Sequence, residues 1–375
     1  MTDKRMKILY IMKDWGAQGI PSYQIKLVSL LSQIYESIAF VQNPNCVNTP
    51  CKQISLSKTR IFLDIIKERH DVIIIFHFFG SPFITPLLLL SKILGIKTIV
   101  VTDFTETGLP RIHKSPLKTL KDFLRYILFS SQLFLVDTPV CFTEYERNTL
   151  LKILSPRNKF RIIPIGNDFE IGTSNKERFI LTVSRWWSDR KNLHTILKVL
   201  SNILRKMNYK LVIVGKFHEG TYYIPDENRW ETGEEYKQKI MRLIEELNLE
   251  NYVKFVGVKL GKDLQELYRK AKIFYLPSKN ETFGMVYVEA MASGTPIVAM
   301  KNSAVQYVVK DGVTGFLRND EEGQKEAILK LLTDEKLYKE MQENCLKEAE
   351  KYRWENVIKK WERLIKELVE GKDVC

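Results

Sequence analysis

Two glutamates and a glycine lie close together in residues 275–300, YLPSKNETFGMVYVEAMASGTPIVAM. Glu281 follows an apolar segment of strand length, Gly284 comes next, and Glu289 lies eight positions after Glu281 in a segment of helical character. A helix that begins after a glycine offers free backbone N–H groups and the positive end of its dipole, which suit an anion such as phosphate. Carboxylates repel phosphate but accept hydrogen bonds from sugar and ribose hydroxyls. The combination therefore indicates a ligand that carries both phosphate and hydroxyl groups.

A simpler interpretation of the same residues is purely structural. Gly284 is then only a helix N-cap. Glu289 is only an acidic residue near the helix N-terminus, which the helix dipole stabilises by about 0.3–1 kcal/mol. In both interpretations the segment is a strand, a helix that ends at Gly294, and a second strand. Such a unit requires a parallel sheet, and open parallel sheets bind ligands at the carboxyl ends of their strands.

Three cations follow another predicted strand, RFILTVSR. Arg185 ends that strand, and Arg190 and Lys191 come five and six residues later, just before a helix. Taken alone they are solvated surface cations, but beside Gly284 and two glutamates they favour a clamp for a diphosphate. The sequence contains no Asp-x-Asp triplet. Cations would then replace a metal ion, and we expect no metal site.

The net charge of the chain is +13, and residues 1–168 contain 22 Lys and Arg against 13 Asp and Glu. Such an excess favours nucleic acid, an anionic membrane face or phosphorylated ligands. Because no zinc-finger spacing or nucleic-acid motif is visible, we expect no nucleic-acid partner.

The five cysteines are scattered, without the paired spacing of a metal site, which fits a reduced, cytosolic protein. The first residues have too short an apolar core for a signal peptide. Residues 82–101 are the longest apolar stretch, but lysines and a glycine interrupt them. They therefore predict a helix and a strand rather than a membrane span.

The first half of the chain also alternates strands with helices. The loop after the strand KILYIM contains Gly16 and Gly19, which either bring the backbone close to a ligand or form only a turn before Ser22. A later strand, KTIVVTD, ends at Asp103, and the loop after it contains His113. We expect both polar residues at the ligand-binding edge of a sheet.

Residues 117–134 form a predicted basic amphipathic helix. Lys118, Lys121 and Arg125 lie on one side, and the opposite side carries Leu117, Leu120, Leu124, Ile127 and Leu128. We favour the interpretation in which the apolar stripe packs on the core and the charges face water. The alternative is an interfacial helix that docks on anionic lipid.

Two successive alternations predict an α/β protein made of two Rossmann-like domains with a cleft between them. The predicted domains are residues 1–168 and 169–353, and an amphipathic helix in 354–375 packs back on the first domain. The segment 216–235 is long and polar, and we expect it to be irregular.

These motifs resemble the retaining glycosyltransferases of family 4, which have the GT-B fold. ETFGMVYVEAMASGTPIV resembles the family's two glutamates separated by seven residues, and SRWWSDRKNL resembles its phosphate-binding motif. The resemblance is strong over residues 178–365 and weaker over 1–168. It implies a metal-independent hexosyltransferase without a cofactor. Such an enzyme moves a sugar from a UDP- or GDP-linked nucleotide sugar with retained configuration.

The resemblance also implies roles for individual residues. The catalytic group is Glu281, Arg185 and Lys191, with Asp103 or His113 on the acceptor side, where the family often has a histidine. Glu281 would touch the transferred sugar and Glu289 the ribose hydroxyls. The family spaces its Arg and Lys five residues apart, so either Arg190 or Lys191 holds the phosphate. The donor-binding residues are Gly19, Arg185, Arg190, Lys191, Val258, Glu281, Phe283, Gly284, Met285 and Glu289.

The first domain would bind the acceptor and the second the nucleotide sugar. A glycan or lipid-linked acceptor would place the protein in the cytoplasm, peripherally at the inner face of the cell membrane. Two alternatives stay open: a small soluble acceptor such as a sugar or sugar phosphate, and a non-catalytic nucleotide-sugar-binding protein.

Overall fold

A computed structural model describes residues 6–12, 22–41, 50–55, 57–76, 81–103, 116–153, 160–186, 189–224 and 229–371. The chain divides into two compact units. The first comprises Met1–Gly166 and Trp354–Cys375, and the second is Asn167–Arg353.

The first unit contains a parallel seven-stranded sheet within the described ranges. Its strands are β1 Lys7–Ile11, β2 Glu36–Val41, β3 Lys52–Ser55, β4 Val72–Phe76, β5 Lys97–Val101, β6 Thr138–Cys141 and β7 Arg161–Ile162. The helices between them are α1 Ser22–Ile34, α2 Lys58–Lys67, α3 Ile84–Ile93, α4 Pro116–Leu135 and α5 Glu144–Ile153. The strand order is β3-β2-β1-β4-β5-β6-β7. The central strand β4 is buried throughout, and β5 is buried after its first residue, Lys97, as expected for a sheet covered on both faces.

The second unit contains β8 Phe179–Val183, β9 Lys210–Val214, β10 Thr221–Ile224, β11 Arg229–Thr232, β12 Val253–Phe255, β13 Ile273–Leu276, β14 Ile297–Ala299 and β15 Gly315–Leu317. Its helices are α6 Leu193–Met207, α7 Gly233–Glu246, α8 Gly261–Lys270, α9 Met285–Ala292, α10 Val305–Val308, α11 Glu321–Thr333 and α12 Glu335–Ala349. Two short 3-10 helices, Asp189–Lys191 and Glu350–Tyr352, complete it.

A parallel sheet in the order β12-β9-β8-β13-β14-β15 forms the core of this unit. The chain builds outward from β8 in one direction, then returns to β13 and builds outward in the other. The reversal lies between β8 and β13, and ligands of open α/β sheets bind outside the strand ends at such a point. The predicted strand, helix and strand of residues 275–300 are confirmed as β13, α9 and β14. Gly294 has a φ of +57° at the end of the helix.

The expectation that segment 216–235 is irregular was wrong. β10 and β11 form an antiparallel hairpin in which Tyr222 lies opposite Glu231. The Tyr222 hydroxyl donates to the Glu231 carboxylate at 2.5 Å, and Arg229 forms an ion pair with the same carboxylate at 2.7 Å. These contacts satisfy the buried Glu231 carboxylate, and a polar composition concealed the hairpin in the sequence. The hairpin leads into α7, where Thr232 and Glu235 form a capping box.

The last helix, α13 Trp354–Glu370, belongs to the first unit. Trp354, Val357, Trp361 and Ile365 are all buried, as the amphipathic pattern predicts. A Cβ atom at Gly166 would lie 2.3 Å from the Trp354 ring, so only a glycine permits this approach. Arg161 also pairs with Glu367 of the helix at 3.1 Å. In the described part of the chain, no helix is long and apolar enough to cross a bilayer.

The contact between Gly166 and Trp354 predicts the effect of one methyl group. Gly166→Ala should lower the free energy of unfolding by about 1–3 kcal/mol, because the new Cβ displaces the indole ring. Urea unfolding followed by circular dichroism measures this change. Gly172→Ala is the matched control, since its Cβ would meet only Arg269 Nη2 at 3.6 Å. Equal stabilities of the two variants would contradict the contact.

Candidate functional site

The carboxyl edge of the second sheet collects most of the predicted donor-binding residues. Arg185 follows the end of β8, next to the reversal of strand order, and its side chain is exposed. Trp186 anchors the backbone after it, because its indole is fully buried and donates to the Val214 carbonyl at 3.0 Å. Arg185 makes no ion pair among the described residues, so its guanidinium is available to a ligand.

An ion pair joins the ends of β8 and β13. Lys191 Nζ lies 2.5 Å from Glu281 Oε1, and the two side chains are only 16% and 13% exposed. Charges so far out of water are costly unless they are paired, so each side chain fixes the position of the other. Two predicted site residues, 90 positions apart in the sequence, are therefore in direct contact.

Arg190 binds the same loop in a different way. Its carbonyl accepts from the Lys279 N–H at 2.9 Å and from the Ser278 hydroxyl at 3.3 Å. Its Nε donates to the Asn280 carbonyl at 3.4 Å. Arg190 thus contacts the backbone of the loop, whereas Lys191 contacts the Glu281 carboxylate.

The loop after β14 supports Glu281 from the other side. The Glu281 N–H donates to the Ser303 hydroxyl at 3.0 Å, and the Ala304 N–H approaches the Glu281 carbonyl at 3.4 Å. The Asn302 amide donates to the Ser278 carbonyl at 2.8 Å. Segments after three neighbouring strands therefore hold this glutamate in place.

Gly284 begins α9 in a conformation that favours glycine. It has a φ of +86°, and a Cβ atom there would lie 2.6 Å from the ring of Tyr287. Tyr287 is fully buried, and its hydroxyl donates to the Leu276 carbonyl at 3.0 Å, which fixes the ring against the strand. No side chain caps the helix at Gly284, so the first-turn N–H groups, beginning with that of Met285, can face a ligand.

The two apolar members of the predicted set differ in their surroundings. Phe283 is buried against Tyr352, with ring centroids 5.9 Å apart, so only its backbone can serve a ligand. Val258 is 54% exposed in the loop that follows β12. That loop is tied to the end of β9 by the Gly215 N–H, which donates to the Gly257 carbonyl at 2.8 Å.

Glu289 lies on α9, and its side chain is half-buried. Burial raises the pKa of this carboxyl to about 7, the Tyr268 hydroxyl beside it lowers the pKa, and the Asp168 carboxylate raises it. The group is therefore poised to change its charge near neutral pH. A ligand whose hydroxyls donate to it would favour the ionised form.

The residues predicted for the acceptor side, Asp103 and His113, are described only in part. Asp103 lies in the first unit after β5, with a φ of +41°. The Tyr23 hydroxyl donates to its carboxylate at 3.5 Å, and burial together with Asp103 raises the pKa of Tyr23, which stays protonated. The predicted residues Gly19 and His113 lie outside the described residues.

Several residues that shape the two sites were missed in the sequence. Ser303 and Asn302 follow the buried strand β14 directly, and polar residues at a strand end were the available signal. Glu146 gave no such signal. It is fully buried on α5, where its carboxylate accepts from the Phe142 N–H at 2.7 Å and from the Thr102 hydroxyl, next to Asp103.

The family described as Glycosyl transferases group 1 matches residues 166–348. The D-inositol 3-phosphate glycosyltransferase of Corynebacterium urealyticum is 33% identical over 139 residues, which are 36% of this chain and 33% of that protein. The N-acetyl-alpha-D-glucosaminyl L-malate synthase of Bacillus anthracis is 22% identical over 80% of this chain and 76% of its own length.

The chain thus spans about a third of the length of the first of these relatives and three quarters of the second. Among solved structures, Anabaena Alr3699/HepE in complex with UDP and glucose has a TM-score of 0.68 at 16% identity. That match covers 97% of this chain and 99% of the other. It identifies the fold as GT-B.

The raised pKa of Glu289 predicts how stability depends on pH. The folded state holds a proton that the unfolded state releases, so the free energy of unfolding should fall as pH rises from 4.5 to about 7. The contribution of this one group is about 1–3 kcal/mol. Glu289→Gln should remove it, and urea unfolding of both proteins across this pH range measures the difference. Glu340→Gln, an exposed glutamate of α12, is the control and should keep the wild-type pH dependence.

Proposed function

We propose that this protein moves a sugar from a nucleotide-diphosphate donor, because residues 166–348 match the group 1 glycosyltransferase family and the chain has the GT-B fold. The donor is UDP- or GDP-linked, the transferred group is a hexose, and its configuration is retained. No metal ion takes part. These properties are the ones that the sequence resemblance to family 4 implies.

One observation carries the proposal. Cationic side chains and an uncapped helix N-terminus occur at the edge of one sheet beside the Glu281 carboxylate, and Glu289 lies farther along the same helix. Arg185 and Lys191 follow β8, while Glu281 and the start of α9 follow the neighbouring strand β13. A diphosphate binds to cations and to a helix N-terminus, whereas sugar hydroxyls donate hydrogen bonds to carboxylates.

The proposed chemistry is stabilisation of a leaving group. When the bond between the sugar and the diphosphate breaks, negative charge grows on the phosphate oxygens and the sugar becomes oxocarbenium-like. Arg185, Lys191 and the first-turn N–H groups of α9 would stabilise that charge. They are held in place before the reaction, and such preorganised electrostatics is often the largest catalytic contribution.

Glu281 serves two purposes in this proposal. It holds the Lys191 ammonium at 2.5 Å, which limits the rotamer freedom that the lysine would otherwise lose on binding phosphate. Its carboxylate also accepts hydrogen bonds from the transferred sugar. The acceptor attacks on the same face as the departing phosphate, which takes the acceptor proton, so Glu281 is not a nucleophile as in glycoside hydrolases.

Glu289 would accept hydrogen bonds from the ribose hydroxyls. Binding of the donor then favours the ionised carboxylate, whose pKa without donor is about 7. Donor affinity should consequently rise as the pH rises through neutrality.

The acceptor that we propose is a glycan or a lipid-linked molecule, bound by the first unit near Asp103. The relatives support a second candidate, because their names, D-inositol 3-phosphate glycosyltransferase and N-acetyl-alpha-D-glucosaminyl L-malate synthase, indicate small soluble acceptors. Product analysis by mass spectrometry with both acceptor types separates the two.

A panel of UDP-, GDP- and ADP-linked sugars tests the donor. A true donor at a hundred times its dissociation constant should stabilise the folded protein by about 2.7 kcal/mol, which raises the thermal unfolding temperature. The shift should be larger at pH 8 than at pH 6, and Glu289→Gln should remove this dependence. No shift with any nucleotide sugar would overturn the proposed function.

Arg185→Ala and Lys191→Ala test the catalytic assignment. Each should lower kcat/KM for transfer by about 100–1000-fold, because a preorganised charge next to the leaving group is lost. Lys336→Ala, an exposed lysine of α12, is the matched control and should keep wild-type activity. Donor binding without transfer to any acceptor would instead favour a non-catalytic nucleotide-sugar-binding protein.

A further inference from the structure

Helix α4 turns its apolar side toward solvent. Leu117 is 79% exposed, and Leu120, Leu124 and Ile127 are each about half exposed, as is Phe123. These five residues, the apolar α4 face, recur at helical spacing on one side of the helix. The preferred interpretation from the sequence, in which this stripe packs on the core, was wrong.

The second half of α4 holds the helix on the first unit. Phe129 and Leu133 are buried in a small cluster with Cys141 and Leu150. The Gln132 amide donates to the Ser81 carbonyl at 2.7 Å and to the Thr85 hydroxyl at 3.1 Å. The apolar α4 face is thus a fixed surface feature of a packed helix. A contiguous exposed patch of large apolar side chains marks an interaction site.

Basic side chains border this face. Lys121 and Arg125 are exposed and, with Leu117, Leu120, Leu124, Leu128 and Pro82, line a groove of about 430 Å³. Asp122, the only acidic residue of α4, is half-buried. Apolar side chains with lysine and arginine beside them are the pattern of a helix that lies in the interface of a bilayer.

We propose that the apolar α4 face docks on the surface of an anionic lipid bilayer, with Lys121 and Arg125 against the headgroups. Charge complementarity selects this occupant. A second copy of the chain, docked through the same face, would bring the two cations of each copy toward those of the other. Anionic headgroups neutralise the cations, while the acyl boundary takes up the leucines.

Vesicle sedimentation of the full chain tests the proposal without any sugar donor, so its outcome is separate from that of the transferase assay. The protein should bind vesicles of phosphatidylcholine and phosphatidylglycerol in equal parts about tenfold more tightly than pure phosphatidylcholine vesicles. Added salt at 0.5 M, roughly three times the physiological ionic strength, should weaken the binding by screening the charges. Leu120→Gln with Leu124→Gln should lower the binding about tenfold.

Lys121→Glu with Arg125→Glu should abolish the preference for anionic vesicles. Leu63→Gln with Ile66→Gln is the matched control, because these α2 side chains of the same unit are 48% and 62% exposed. This control should bind like the wild type, and thermal unfolding should show all variants folded, since each substituted side chain is exposed. Three results would overturn the proposal: no vesicle binding by the wild type, equal losses in the control, or self-association that Leu120→Gln with Leu124→Gln abolishes.

Discussion

The pairing of Lys191 with Glu281 holds the candidate site together. It joins a short 3-10 helix after β8 to the loop after β13, and both groups are largely removed from water. A buried ion pair contributes little net stability, because desolvation offsets the attraction between the charges. Its effect is positional: the loop that carries Glu281 and leads to Gly284 cannot move far without leaving a buried charge unpaired.

The remaining constraints come from apolar packing. The inner strands of the second sheet, β8, β13 and β14, are short and covered on both faces, which fixes their parallel order and places their carboxyl ends on one edge. Tyr287 sets the approach of α9, because its buried ring leaves no room for a side chain at Gly284 and its hydroxyl reaches back to β13. The positions of the polar groups at this edge therefore depend on buried rings and strands that would not themselves contact a ligand.

Much of this arrangement could be predicted from the sequence. Unbroken apolar segments between helices of regular period specify a parallel α/β protein, and polar residues after such strands locate the ligand-binding edge. The choice between Arg190 and Lys191 could not be predicted. It depends on where a single 3-10 turn aims two adjacent side chains, and the sequence does not show that Arg190 turns to the Asn280 carbonyl and Lys191 to the Glu281 carboxylate.

Two other features were hidden for different reasons. The hairpin of β10 and β11 is polar in composition, and its buried carboxylate becomes stable only when Tyr222 and Arg229 surround it. The amphipathic pattern of α4 showed that the helix has two faces but not which one meets the core. That outcome is set by which residues the neighbouring elements offer, here Ser81 and Thr85 near the start of α3.

The placement of α13 has a consequence for the order in which the protein is assembled during synthesis. The second unit is one continuous segment, whereas the first is built from residues on both sides of it. The partner of Gly166, Trp354, leaves the ribosome only after the whole second unit has been made. The first unit must therefore wait, with the surface that α13 will cover still exposed, while the later segment can already fold. For most chains the order is the reverse, with the N-terminal domain completed first.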